Sequence, residues 1–231
     1  MPAGARSVEV RLVIDGDTLE LADNRRVRLI GVDTPEIGRR GKPSEPFAEA
    51  ARHRLQVLSG AQVRMVEGSE AKDRYGRTLA HLFDASGNNI EATLLREGLG
   101  FALAVPPNDA MIGCHLNAEQ EARRAGRGLW GGRPITPASS VQQGGFQLIS
   151  AEIRKVSAAG RYLWLDTDGP VVLRIDREQF ANFGLGTPGA LAGRSVVVRG
   201  WVIDRRSQGR LKAGFKPFML PVRHPAMLEL D

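Results

Sequence analysis

A chain of 231 residues with 42% hydrophobic and 25% charged side chains can bury one large or two small cores without covalent staples, and no stretch of it approaches the roughly 20 apolar residues of a membrane span. A single cysteine, Cys114, excludes an internal disulfide framework and a cysteine-built metal centre. The formal net charge of +6 is uneven, with 19 basic against 18 acidic residues over 1–140 and 13 against 8 over 141–231, so the second part suits a polyanionic partner; arginine outnumbers lysine 27 to 5, a bias that genome composition also produces.

The opening MPAGARSVEV has no apolar signal segment, so the expected location is cytoplasmic as the chain stands, or secreted or periplasmic if this is a mature form. Residues Val10 to Leu21 alternate apolar with polar and predict a strand that carries Asp15 and Asp17 around Gly16. A turn over Ala22 to Arg26, containing Asp23-Asn24, leads to a second strand, Val27 to Val32, which ends in Asp33, Thr34, Pro35 and Glu36. Such a hairpin would let carboxylates of both strands converge near Arg28, the outline of a metal-plus-phosphate site. Ile37 to Pro46 is an exposed loop with Arg39, Arg40 and Lys42, which either steer an anionic substrate or are merely solvated.

A helix is predicted from Phe47, with Phe47, Ala51, Leu55 and Leu58 on one face and Gly60 as its stop. Strands follow at Gln62 to Glu67 and Thr78 to Phe83, joined by a turn at Tyr75-Gly76 with Asp73, Arg74 and Arg77 on its shoulders. His81 reads as a sheet residue and His53 as a surface one. Further helices are expected at Ile90 to Glu97 and Asn117 to Ala125, with the short apolar run Phe101 to Val105 between them. With no second His near it and only the adjacent Cys114, His115 reads as a packing or helix-terminal residue rather than a zinc ligand.

The stretch 131–145, GGRPITPASSVQQGG, is rich in Gly, Pro, Ser and Gln and predicts a linker, placing domains at 1–132 and 146–231 with the linker at 133–145. Beyond it, three strand-like segments, a short helix over Arg177 to Phe183 and two more strands give the order of an oligonucleotide-binding (OB) barrel. Such barrels use basic grooves with stacking aromatics; the candidates are Tyr162, Trp164, Trp201 and Phe215 among Arg154, Lys155, Arg161, Arg199, Arg205, Arg206 and Lys212. At least one of Trp164 and Trp201 is expected in the core. Arg205 and Arg206, at a hairpin tip with Gln208-Gly209, are the preferred phosphate contacts.

Hydrolysing a phosphodiester needs an activated water, neutralisation of charge on the phosphate oxygens and help for the leaving oxygen. Hard-oxygen ligands around a divalent cation, together with paired arginines, meet the second need. In sequence order, IDGDTLEL, RVRLIGVDTPE, DRYGRTLAHLF, NNIEATLLREGLG and EARRAGRGLW together resemble the staphylococcal nuclease (thermonuclease) family, over about Val10 to Trp130. The resemblance implies a mainly β fold, an OB barrel with three helices; the second, smaller OB-like barrel lies outside it and is read from its strand order. It implies metal-dependent hydrolysis of DNA and RNA with 3'-phosphate products. It places the metal on Asp17, Asp33 and the backbone carbonyl of Thr34, with Asp15 in the outer shell. The transition-state arginines become Arg28 and Arg77, Glu36 activates or orients the water, and Arg74 and Tyr75 touch a neighbouring phosphate. Calcium is the metal implied, with Mg²⁺ or Mn²⁺ also suited to such ligands.

Two departures stand out. The family's base-side tyrosines are replaced by Phe101 to Val105, and the loop after Glu36 is shorter and differently charged. The expected function is thus a nuclease, endonucleolytic rather than exonucleolytic, that prefers single strands and has a second barrel to position them. The alternative is a non-catalytic single-strand-binding protein of two barrels. Nothing in the sequence indicates an oligomeric state.

Overall fold

The structure, a computed structural model, describes residues 4–39, 41–209, 211 and 213–230; Arg40 and Lys212, named above, lie outside the described residues. The chain divides into two compact units, Met1–Arg133 and Pro134–Asp231. No helix among the described residues is long and apolar enough to cross a membrane.

In the first unit the elements run β1 (Arg6–Val13), β2 (Thr18–Leu21), β3 (Arg26–Leu29), β4 (Val32–Asp33), α1 (Ala48–Ser59), β5 (Gln62–Lys72), β6 (Thr78–Phe83), α2 (Ile90–Arg96), β7 (Phe101–Ala102) and α3 (Ile112–Ala125). Five strands close a barrel in the order β1-β2-β3-β6-β5. All its neighbours are antiparallel except β3 and β6, where Val27 lies level with Thr78 and Arg28 with Leu79. Apolar side chains from every barrel strand fill the interior: Val13, Leu19, Leu21, Val27, Leu29, Val63, Met65 and Leu82 are all buried. The helices cover it through Leu55 of α1, Ile90, Leu94 and Leu95 of α2, and Ala118 of α3. Asn89 caps α2 by accepting the Ala92 amide at 2.7 Å, and Gly126 ends α3 in the left-handed conformation.

Three local expectations change. The strand expected over Val10 to Leu21 breaks at residues 14–17, because the amides of Ile14 and Asp15 both turn back onto the Thr18 carbonyl at 2.9 and 3.2 Å. Asp15 and Asp17 therefore sit on a turn, not along a strand. Helix α3 starts at Ile112 rather than near Asn117, since Ile112 and Leu116, one helical turn apart, both pack on the core. Phe47 precedes α1 in a left-handed conformation with φ 68° and is exposed, so it is not part of the helix's apolar face.

The second unit continues with β8 (Ile135–Pro137), β9 (Gly145–Ala159), β10 (Tyr162–Thr167), β11 (Val171–Asp176), β12 (Ser195–Asp204), β13 (Phe218–Pro221) and β14 (Leu228–Leu230). The ring β9-β10-β11-β13-β12 closes through β12–β9 pairing, again with one parallel contact, β11 to β13. Short 3₁₀ segments at Arg177–Phe183 and Pro188–Leu191 stand between its third and fourth strands, where α1 stands in the first unit. Both units therefore wind as OB barrels. Part of the stretch read as a linker is ordered: β8 runs parallel to β9, with Ile135 level with Leu148. Neither Trp164 nor Trp201 fills the core. Leu163 and Leu165 point inward from β10, which turns Tyr162 and Trp164 to the outer face, and Trp201 is 45% exposed against Phe146.

Leu82, fully buried in the first barrel, tests this packing. Leu82→Ala is expected to cost about 2–5 kcal/mol of stability, as a fully buried leucine does on truncation, measured as a lower urea midpoint for the first unit; an unchanged midpoint would place Leu82 outside the core.

Candidate active site

The β1–β2 turn brings its two carboxylates against the end of β3. The Leu29 amide donates to the Asp17 carbonyl at 2.8 Å, fixing the turn to the strand. Gly16 sits between them at contact distance: a Cβ there would lie 2.6 Å from both the Cβ of Ala51 on α1 and the Oγ1 of Thr34, so only glycine allows the approach.

Arg28 turns its guanidinium inward. Its Nη1 donates to the carbonyls of Leu29 at 3.0 Å and Val32 at 2.8 Å, Nη2 donates to Asp33 Oδ1 at 2.8 Å, and Nη1 pairs with Asp17 Oδ2 at 3.1 Å. The same Asp17 oxygen accepts the Thr34 amide at 3.0 Å and hydroxyl at 3.1 Å, while Oδ1 accepts the Thr18 hydroxyl at 3.0 Å. Asp15 accepts the Asp17 amide. Arg28, Asp15, Asp17 and Thr34 are all buried. Glu36 is exposed beside them, on a loop closed by its own amide donating to Glu45 Oε2 at 2.9 Å and by the Glu45 amide donating to the Glu36 carbonyl.

Among the described residues, one buried cation thus faces four carboxylates. Burial, reinforced by the charge of Asp17, pushes Asp15 up to about 6. At Asp33 burial outweighs the attraction of Arg28 and, with Asp17 and Glu36 adding repulsion, pushes the group up to about 7. Loss of surrounding water and the charge of Asp17 raise Glu36 as well. Burial opposes the charge on Arg28, yet Asp17, Asp33, Asp15 and Glu36 hold it above the ordinary arginine range. The pocket is short of positive charge and lined by hard oxygens, the donor chemistry that a divalent cation of the calcium or magnesium type takes. Arg39 reaches Asp15 only at 3.7 Å from an exposed position, a weak surface pair.

The remaining expected residues are not drawn into this cluster. Arg77 immediately precedes β6, beside β3, but its Nε donates to Asp73 Oδ2 at 2.7 Å. Asp73 also accepts the amides of Tyr75 and Arg77; burial works against its charge, but Arg77 holds it below the usual carboxylate range. Arg74 donates to the Tyr75 hydroxyl at 2.6 Å and lies over its ring, and Tyr75 is largely exposed. In the second unit Arg205 and Arg206 open the hairpin connection between antiparallel β12 and β13 as a 3₁₀ turn, Arg205–Gln208; Arg206 pairs with Asp204 at 2.7 Å, and Arg205 lies over Trp164 and Phe215.

The family model described as "Staphylococcal nuclease homologue" matches residues 26–132. The thermonuclease of Staphylococcus intermedius is 38% identical over 125 residues, 52% of this chain and 74% of that relative. The chain belongs to the staphylococcal nuclease family. The thermonuclease of Staphylococcus hyicus is 32% identical over 132 residues, 55% of this chain and 78% of the relative. An uncharacterized endonuclease of Escherichia coli is 29% identical over 129 residues, with 54% of this chain and 78% of the relative covered. The stretch matched by the staphylococcal nuclease family model contains Arg28, Asp33, Thr34, Glu36, Arg74, Tyr75 and Arg77; Asp15 and Asp17 precede it and residues 134–231 lie beyond it.

Sequence reasoning took His81 and His115 one at a time and passed over Glu91. The fold brings these three together, all buried, with one potential ligand atom from each within 4.8 Å of the others. Burial lowers His115 to about 4, leaving it neutral at physiological pH. The available signal was only that each is a polar residue within an otherwise apolar run.

The strained carboxylates set a pH dependence in the absence of metal. Unfolded, Asp33 titrates near the ordinary aspartate value of 3.8; folded, burial pushes it up to about 7. Between those values the folded state keeps a proton that the unfolded state has lost, so stability falls as pH rises through that window. Asp33→Asn removes the penalty, and with a chelator present it is expected to melt above the unmutated protein at about pH 8, the gap narrowing toward about pH 5. A gap independent of pH would assign the effect to packing instead.

Proposed function

We propose that the first unit is a divalent-metal-dependent nuclease that hydrolyses phosphodiester bonds within DNA or RNA strands and leaves 3'-phosphates. One observation carries this reading: a buried guanidinium is held among carboxylates that outnumber it. Asp17, Asp33 and the Thr34 carbonyl would hold the cation, Ca²⁺ by preference, with Asp15 behind them. When bound, the cation supplies positive charge to the phosphate oxygens and makes up the deficit of the pocket.

The chain's own groups supply the rest. Arg28, locked by two backbone carbonyls, is a preorganised charge that needs no reorganisation as negative charge grows on the phosphate. Asp73 occupies only the Nε of Arg77; neither Nη has a hydrogen-bonding partner among the described residues, so this edge is free for a bidentate phosphate contact. Glu36, exposed and with a raised pKa, accepts a proton from the attacking water or orients it. Arg74 and Tyr75 meet the neighbouring phosphate from the exposed turn.

The second unit is proposed to hold the strand, single-stranded by preference. Its support is the outer face of β10 and β11, where Arg174 lies 4.4 Å from the Tyr162 ring centre and Tyr162 meets Trp164 edge-on at 6.0 Å; from the connection between β12 and β13, Arg205 lies over Trp164 and 5.0 Å from the ring centre of Phe215. Aromatic faces alternating with guanidinium groups suit stacked bases and their phosphates. The second and third strands of an OB barrel form its usual ligand face.

Circular and linear single strands, duplex DNA and RNA, each with calcium, magnesium and manganese, test the first proposal. Cleavage of circles with one of these ions is expected. Arg77→Ala and Glu36→Gln should each reduce the rate by about 10²-fold or more while the protein stays folded. No cleavage by folded protein with any ion would overturn it, and binding without cleavage would favour a two-barrel binding protein. For the second proposal, Trp164→Ala in the full chain is expected to weaken single-strand binding by about tenfold, the order of one lost stacking contact, measured by fluorescence anisotropy; unchanged affinity would remove this face from the interface.

A further inference from the structure

The buried group formed by His81, Glu91 and His115 is separate in chemistry from the carboxylate pocket. His81 comes from β6, Glu91 from the first turn of α2 and His115 from the first turn of α3, so a barrel strand and two of the helices that cover the barrel meet at one point. Their relative exposures are 8%, 0% and 1%. The His81 Nδ1 atom is buried with no hydrogen-bond partner, although the Glu91 Oε1 atom is 3.3 Å away. That separation matches the edge of a tetrahedron of nitrogen and oxygen ligands around zinc, about 3.3 Å for bonds of about 2.0 Å.

The surroundings already orient the ligands. The Leu82 amide donates to Glu91 Oε1 at 3.0 Å, and Asn89 Nδ2 donates to Oε2 at 2.5 Å, the outer-shell support that fixes a ligating carboxylate. Asn89 Oδ1 lies 3.1 Å from His115 Nε2. On the other side of the ring, Gly31, at φ 86°, leaves room that a side chain would take: a Cβ there would lie 2.2 Å from His115 Nδ1. A fully buried carboxylate with two imidazoles and no lysine or arginine paired to it among the described contacts is a poor arrangement without a cation.

We propose that His81, Glu91 and His115, with a water as fourth donor, form a site for a late first-row transition ion of the zinc class, which ties β6, α2 and α3 together. Two imidazoles and a carboxylate are a zinc-type donor set and select against calcium and magnesium. The widest pair of ligand atoms, within 4.8 Å, needs to close by about 1.5 Å at most to reach a tetrahedral edge.

The test uses the full chain carrying Cys114→Ser, because Cys114 is an exposed free thiol that could bind zinc by itself. After chelation and dialysis, Zn²⁺ is titrated by calorimetry and Co²⁺ by visible absorption, each with excess Ca²⁺ present to occupy the carboxylate pocket. One equivalent of Zn²⁺, a melting midpoint raised by several degrees and a tetrahedral Co²⁺ spectrum are expected. His81→Gln should abolish all three, while Asp33→Asn should leave them intact. Absence of the tetrahedral Co²⁺ spectrum in the unmutated ligand set overturns the proposal without reference to any ligand variant's folding. Binding that survives His81→Gln, or that is lost with Asp33→Asn, overturns it by assigning the ion elsewhere.

Discussion

Burying a guanidinium at the end of a barrel strand obliges the surrounding chain to neutralise it, and most of the local architecture around Arg28 follows from that. Two carbonyls, Leu29 and Val32, are turned back to receive its Nη1, so the chain after β3 has to bend before it can pair as β4 with β7. Asp17 and Asp33 arrive from opposite sides of that bend. The same geometry overshoots, since the acids outnumber the base, and the excess carboxylate charge is stored as raised proton affinity. Removing Arg28 would leave these acids buried with still less compensation, a costlier state than one exposed broken pair.

The parallel contact between β3 and β6 sets what is next to what. Antiparallel neighbours could be joined by a tight turn, but this contact joins strands distant in sequence, and it sets the turn carrying Asp73 and Arg77 beside the strand of Arg28. The second barrel has the same single parallel contact between its third and fifth strands. The two units share a winding and differ in decoration: buried acids and a guanidinium at the first, exposed aromatic rings and arginines on the second. The coincidence of winding therefore says little about shared chemistry, which belongs to side chains grafted on the strands.

Much of the barrel was legible because local patterns agreed with it. The period-two runs of β2, β3 and β6, Gly60 and Gly126 as helix ends, and the Asp23-Asn24 turn, with Asn24 at φ 66°, each follow from short-range chemistry. The break after Val13 was not legible, because alternation continues through Asp15 and Asp17 and only the turn onto Thr18 interrupts it. Trp164 was misjudged because β10 is apolar on both faces, so periodicity alone cannot choose which side enters the core. The state of Arg77 depends on how Asp73 folds over its own turn. The grouping of His81, Glu91 and His115 depends on three elements meeting, which no spacing along the chain encodes.

Gly16 has a mechanical consequence. With less than a methyl group of clearance between the turn, Ala51 of α1 and Thr34, there is no cushion between the helix and the acids. A displacement of α1 by a few tenths of an ångström is passed on directly to Asp15, Asp17 and Thr34, because packed interiors transmit strain instead of absorbing it. The solvent-facing side of α1, where Arg52 and Glu49 pair at the surface, is thereby linked by a rigid path to the pocket. The seating of α1 thus sets how closely the turn approaches Thr34, although no residue on that outer face touches the pocket.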